Sequence, residues 1–408
     1  MFFKLNFSYA KKNLKSAYFS YINLLRKLPI SSEILGPPKN FYQEAKDYWL
    51  LNLKKNNKQS QGSFISISSP SSIHRKLPKT ISDEVHWKFE IESSHEYPET
   101  FVTVIPQGRV WGHNGTVITP DDKFLGDLSL EIGRDISEHS ILKFWRLPNL
   151  HYVDGTVAVL SAAGGKGYFH WMFDVLPRIH LLKQAEIDFS HIDKFLVNSL
   201  HLSFQKETLE ILGIPEEKIL ESRKFPHIKA KQLVVPSLPG QTGNIPKWAC
   251  DFLKTEIIGS SSYQKVGKGN LIYISRDRAT VRRVINEDEL VPFLKKFGFE
   301  VIFLEKMSVA EQALVLASAS VIVAPHGAGL SNLVFCSPGT KVIELFSPNY
   351  VNVCYWVLSN NIQLDYYYLI GQGEKPDKFC DPHYMAENIL INIDSLAQLL
   401  KIAEVNYH

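Results

Sequence analysis

Four short, mainly apolar runs recur through the second half of this chain, at residues 271–274, 301–303, 321–323 and 342–345. The intervals between them leave room for one helix each. A strand covered on both faces reads as a continuous apolar run rather than as an alternation. Helices predicted over residues 287–297 and 309–319, with a short one beginning near Leu330, fill the gaps. Such alternation commits residues 270–370 to a parallel sheet with helices on its faces, a Rossmann-like unit. The first half reads differently. Between residues 85 and 160, alternating runs at 100–105, 109–111, 115–118 and 157–160 are separated by turn signals such as Pro120-Asp121-Asp122, predicting a mixed or meandering sheet. A glycine loop from Ala162 to Gly167 then leads into a helix over 168–184, a strand over 194–198, a helix over 205–212 and a strand over 232–235. The fold class is therefore α/β with a β-rich N-terminal portion, divided at the Gly/Pro-rich stretch 236–246.

On this division, residues 1–84 form a basic extension and linker, with residues 54–80 read as loop. Residues 85–240 form an N-terminal α/β domain, and residues 241–380 the C-terminal Rossmann-like domain. Residues 381–408 carry a helix expected to pack back on the N-terminal domain. The formal charge of +3 over 408 residues conceals an asymmetry. Residues 1–60 carry eleven Lys/Arg against three Asp/Glu, whereas the remaining 348 carry 34 against 39. A slightly acidic body excludes a general nucleic-acid binder. Leu14, Tyr18, Ile22 and Leu25 recur at helical spacing among lysines and arginines. Residues 1–30 thus read either as a helix resting on an anionic membrane surface or as one docked on its own domain. Cys250, Cys336, Cys354 and Cys380 are scattered, without a C-x-x-C pair, as expected of a reducing compartment. The sequence offers no long apolar span and no secretory leader pattern, so a cytoplasmic location is the expectation.

Four places carry chemistry. In Ala324-Pro325-His326-Gly327-Ala328-Gly329-Leu330-Ser331-Asn332 a buried strand ends, a small-residue loop turns and a helix begins. Open α/β sheets bind ligands at such a carboxyl end, and glycines let backbone approach phosphate oxygens. The spacing matches neither a dinucleotide fingerprint nor a Walker loop. Just past the first strand of the same unit lie Arg276, Arg278, Arg282 and Arg283, the side-chain type suited to bidentate phosphate recognition. Glu344 is an acid inside an apolar strand; either ribose hydroxyls or a structural ion pair would satisfy it. In the other half, His170, Asp174 and Arg178 share one helix face, with Pro177 expected to kink it. There His170 reads as a base, or Asp174 as the group that orients it. No D-x-D, no H-E-x-x-H and no Cys/His cluster occurs, so no metal site is expected.

The run Tyr168-Phe169-His170-Trp171 with Asp174 and Leu176-Pro177-Arg178, followed by Tyr273-Ile274-Ser275-Arg276, Pro325-His326-Gly327-Ala328-Gly329-Leu330-Ser331-Asn332 and Glu344-Leu345-Phe346, resembles glycosyltransferase family 61. It looks like the bacterial branch associated with capsular polysaccharide biosynthesis. The resemblance covers residues 102 to 369. It implies a GT-B-like fold, two Rossmann-like domains facing a cleft, with the donor mainly on the C-terminal one. It also implies inverting, metal-independent transfer from a nucleotide sugar, commonly a UDP-sugar, to a glycan or polysaccharide acceptor, with no cofactor. Carried over, Arg276, Arg282 and the loop His326, Gly327, Ala328, Gly329, Ser331 and Asn332 would hold the donor. Glu344 would meet its ribose, and His170 and Asp174 would line the reaction centre. Relatives commonly have Asn where this chain has Gly167. That departure leaves open a catalytically weak, glycan-binding or scaffold protein of the same fold.

Overall fold

The structure is a computed structural model that describes residues 17, 20, 21, 24, 36–55, 62–259, 269–377, 379–380 and 384–406. The expected basic helix within residues 1–30 lies almost wholly outside them. Two sheets organise the described chain. The larger, ten-stranded sheet comprises β1 (Asn40–Tyr42), β2 (Ser63–Ser68), β5 (Thr100–Pro106), β6 (Arg109–Trp111), β7 (Thr116–Ile118), β8 (Lys123–Leu125), β9 (His151–Val159), β10 (Lys194–Val197), β11 (Ile219–Glu221) and β12 (His227–Pro236). A separate hairpin joins β3 (Ser71–His74) to β4 (Ser94–Tyr97). The long strand β12 divides the large sheet. It pairs parallel with β9, beyond which β10 and β11 continue in parallel; its other edge pairs antiparallel with β6 and β5. The sheet is mixed, as the two kinds of sequence pattern predict.

Among the described residues of the expected extension and linker, residues 63–68 are not the loop that their Ser/Pro-rich surroundings suggest. The alternation Ser63-Phe64-Ile65-Ser66-Ile67-Ser68 is a strand paired with β5, and Phe64 stacks on Phe101 at 4.6 Å. Pairing supplied by a distant strand outweighs a composition typical of loops. The helix Ala45–Lys55 covers one face of the same sheet, where Tyr48 and Trp49 join Phe101, Ile105, Val157 and Leu233.

The second sheet has five parallel strands: β13 (Asn270–Ile274), β14 (Glu300–Ile302), β15 (Ala319–Pro325), β16 (Lys341–Phe346) and β17 (Asp365–Ile370), in the order β14-β13-β15-β16-β17. The chain reverses its direction of growth between β13 and β15, and a crevice opens outside the carboxyl ends of adjacent strands at such a point. Successive residues face opposite layers. Leu271, Tyr273, Val323, Ile343 and Leu369 point to one core, and Ile272, Ile274, Ala324 and Phe346 to the other.

The first of these layers holds the final helix, Ile393–Ile402, through Leu396, Leu399 and Leu400, beside Leu290 and Leu294 of the helix Glu287–Lys295. This corrects the expectation that the C-terminal helix packs on the N-terminal domain. The outer face of the second sheet is apolar, and this amphipathic helix covers it together with the helix Glu287–Lys295. The other layer is shared. Trp171 and Val175 from the first half, the helix Lys247–Ile258, and Leu333 and Trp356 from the second form one continuous apolar cluster between the sheets.

Candidate functional site

Past β9 the chain turns through Gly164 and Gly165 into residues 168–184. These form not one kinked helix but a short helical turn, a π-helical turn over Trp171–Val175, and a helix Pro177–Gln184. Pro177 brings no N–H and its ring crowds the preceding turn; widening that turn by one residue, with Leu176 N–H donating to Trp171 O at 3.0 Å, absorbs it. The site's first pair sits on this wide turn. His170 Nδ1 and Asp174 Oδ2 are 2.7 Å apart, leaving Nε2 as the ring nitrogen for other partners. Burial pushes the Asp174 carboxyl up, while the His170 hydrogen bond and the Arg178 charge pull it back. Arg178 itself is structural. It is buried and donates to Ser161 O at 2.8 Å and Pro236 O at 2.5 Å.

Gly164 is required twice over. Its φ of 73° lies in the left-handed region, and a Cβ there would sit 2.6 Å from His170 Cδ2. Gly164→Ala is expected to cost about 1–2 kcal/mol from backbone strain alone and to displace the imidazole, so thermal melting and turnover should both fall. Unchanged turnover would show that the ring position is not critical. Gly167 is the N-cap of the turn, without a side-chain cap, and a Cβ there would meet nothing closer than 3.6 Å. The missing cap costs only a few tenths of a kcal/mol, and the His170–Asp174 pair forms without it.

The second pair belongs to the other sheet. His326 follows β15 and Glu344 lies in β16, paired in register beside it. His326 Nδ1 contacts Glu344 Oε1 at 2.5 Å, and Tyr366 of β17 donates its hydroxyl to the other carboxylate oxygen. Glu344 is 0% exposed. This corrects the ribose assignment: both oxygens face inward protein partners, so the carboxylate orients His326 rather than meeting a ligand. The His326 ring lies over Phe346, centroids 5.3 Å apart, and at the same distance from Tyr355, which also meets Phe169. His170 and His326 line one pocket of about 650 Å³, together with Arg282, Gly327 and Ala328.

Two guanidiniums flank the glycine loop. Gly327 is extended, and its role is clearance: a Cβ there would fall on the Arg276 guanidinium. Arg276 Nη2 donates to Val281 O at 3.0 Å. Arg282, at a left-handed φ of 55°, donates from Nε to His326 O at 3.1 Å and from Nη1 to Met385 O at 2.6 Å. Among the described residues neither arginine forms an ion pair with a carboxylate, and Arg276 Nε is buried with no partner. Burial first, and the Arg282 charge second, hold the Arg276 guanidinium below the usual arginine range. Two cations that flank a glycine loop without a carboxylate partner are an arrangement that can stabilise an anion. Arg278 and Arg283 are exposed, and Arg278 approaches Glu305 at 4.0 Å.

The helix after the loop is a 3-10 helix, Ala328–Phe335. Ser331 and Asn332 are 0% exposed, which corrects their assignment to the donor. They lie on its inner side because the short helix turns them into the shared core. Asn332 instead ties the halves together: Tyr168 donates to its Oδ1 at 2.6 Å, and its Nδ2 donates to Gln312 Oε1 at 2.7 Å. A second tie runs from Glu207, which accepts the Val309 and Ala310 N–H groups at a helix start, at 2.9 and 3.0 Å. Tyr168 opens the run that carries the resemblance, but neither its role nor that of Glu207 is legible in the sequence, because nothing local marks a partner more than 100 residues away. Among the described residues no group of three or more His, Cys, Asp or Glu is placed to hold a metal ion, and no helix is long and apolar enough to cross a membrane.

Residues 168–343 match the model of the family described as Glycosyltransferase 61. The matched segment begins at the His170 turn and ends one residue before Glu344, so it contains both histidines and both arginines. A segment of 61 residues is 38% identical to a beta-1,2-xylosyltransferase of Oryza sativa subsp. japonica, covering 15% of this chain and 11% of that protein. Both similarities support glycosyltransferase family 61.

Proposed function

We propose that this chain is a glycosyltransferase that moves a sugar from a nucleotide donor, a UDP-sugar, to a hydroxyl of a glycan or polysaccharide acceptor. The proposal includes inversion at the anomeric carbon, no metal ion, and a GT-B-like arrangement in which the two sheets face each other across the pocket. One observation carries it: two arginines without carboxylate partners flank a glycine loop, and the pocket beside that loop is lined by two histidines, each paired with a carboxylate. In the step proposed, the acceptor oxygen attacks the anomeric carbon as its proton passes to His170 Nε2. The bond from that carbon to the diphosphate breaks, and its electron pair leaves with the diphosphate oxygen. Asp174 holds the ring and stabilises the imidazolium. Arg276 and Arg282 meet the charge growing on the leaving group, the place where fixed positive groups lower a barrier most. A capsular or other surface polysaccharide is the acceptor class proposed, with the enzyme cytoplasmic or peripheral at the membrane through residues 1–30.

The test is thermal unfolding with UDP and UDP-sugars, with and without EDTA. A ligand at about 100 times its Kd stabilises by about 2.7 kcal/mol, roughly 3 °C for a chain of this length. A shift of that size should survive chelation and disappear in Arg276→Ala. Absence of a shift with any nucleotide or nucleotide sugar overturns the function, and a shift abolished by EDTA overturns its metal independence.

A further inference from the structure

A second cavity, of about 430 Å³, lies on the far side of the Gly327-Ala328-Gly329 loop from the two histidines. It opens at the carboxyl ends of β13 and β14. Ile274, Leu304, Met307 and Phe204 supply apolar lining, and Arg276 and Glu305 supply charge. Ala328 lines both cavities, whereas Arg276 lines this one and Arg282 the other. The arginine–glycine saddle is therefore their common wall.

We propose that this second cavity is the nucleoside chamber of the donor, with Glu305 accepting the ribose hydroxyls. The inference rests on the glycosyltransferase reading. A nucleotide sugar is a line of three parts, with the diphosphate in the middle. With the diphosphate on the saddle between Arg276 and Arg282, the transferred sugar falls toward the histidines and the nucleoside toward Phe204 and Leu304. An apolar lining with a few charged groups at its edge suits a nucleobase, whose faces are apolar and whose rim is polar. In doubly wound sheets the acid near the carboxyl end of the second strand accepts from the ribose 2′-hydroxyl. Glu305 stands there, three residues beyond the end of β14. Its side chain is half exposed and its approach to Arg278 is long, 4.0 Å. Glu344, sealed behind His326, cannot take that role.

The experiment is calorimetric titration of the full chain with UDP, 2′-deoxy-UDP and inorganic pyrophosphate. Wild type should bind UDP more tightly than pyrophosphate, and about tenfold more tightly than 2′-deoxy-UDP, the effect of one ribose hydrogen bond. Ala279→Trp puts an indole into the chamber from a partly exposed loop position. It should weaken UDP at least about tenfold and leave pyrophosphate within about twofold. Glu305→Ala should bind UDP and 2′-deoxy-UDP alike. Thr242→Trp, which crowds the other pocket, should block transfer yet keep UDP binding. Wild-type UDP affinity in Ala279→Trp, or an intact preference for UDP in Glu305→Ala, overturns the chamber while the transferase reading stands. Wild type that binds neither UDP nor pyrophosphate overturns both. Should Ala279→Trp unfold or lose pyrophosphate as well, the Glu305→Ala ratio decides alone.

Discussion

His170→Ala should lower kcat by roughly 10²–10⁴, the range over which a positioned general base acts, while the UDP-induced rise in melting temperature stays at its wild-type value. The split follows from where the groups sit. In the proposed reading Arg276, Arg282 and the glycine loop take the phosphates, whereas His170 stands on the π-helical turn of the other half, its Nδ1 committed to Asp174. Truncating the imidazole removes the proposed proton acceptor and leaves the arginines and the glycine loop in place. Asp174→Asn is informative in a different way. Asp174 acts through His170, so its loss should reduce kcat and alter its pH profile with little change in the donor KM. Turnover is read as UDP released with and without acceptor. Wild-type kcat in His170→Ala would remove that residue from the chemistry and turn attention to His326, the other imidazole in the pocket.

The two histidine pairs are built to different ends. Asp174 is buried beside Arg178, which keeps a cation near the carboxylate even when His170 gives up its proton. Glu344 has His326 and a tyrosine hydroxyl, and burial together with Glu344 raises the Tyr366 hydroxyl well above its ordinary range, so that it stays a donor. The first arrangement suits a group that changes protonation during a turnover. The second fixes the orientation of a ring at the wall of the anion site.

Much of this was legible in the sequence. The parallel unit is, because strands covered on both faces announce themselves as apolar runs. Arg276, Arg282, Gly327 and the His170–Asp174 spacing are legible too, because each depends on neighbours within a few residues or on one strand end. Depth is harder to read. Asn332 and Ser331 follow Gly329 as a phosphate-binding loop would, yet a 3-10 helix turns them into the core. Glu344 looks the same in sequence whether it faces a cleft or a histidine from the adjacent strand, since strand register is a tertiary fact. Ser63–Ser68 looks like low-complexity linker until β5 pairs with it. The final helix displays its apolar stripe plainly, but a stripe says only that something is covered, and the uncovered face of the second sheet decides what.

Glu344→Ala should destabilise the fold by about 3–5 kcal/mol, because it strands the buried Tyr366 hydroxyl, takes the acceptor from His326 Nδ1 and opens a cavity between β15 and β17. Unfolding monitored by circular dichroism should show a melting temperature lower by roughly 4–6 °C. Glu344→Gln keeps the shape and an acceptor for Tyr366 while losing the charge, and should cost less, about 1–3 kcal/mol. In that milder variant UDP should still bind in preference to 2′-deoxy-UDP, since the sealed carboxylate does not touch the donor, whereas kcat should fall as His326 loses its orientation. A ribose-binding Glu344 makes the opposite pair of demands: stability near wild type, and loss of discrimination between the two nucleotides. Wild-type melting together with equal affinity for UDP and 2′-deoxy-UDP in Glu344→Gln would return the ribose to β16 and take it away from Glu305.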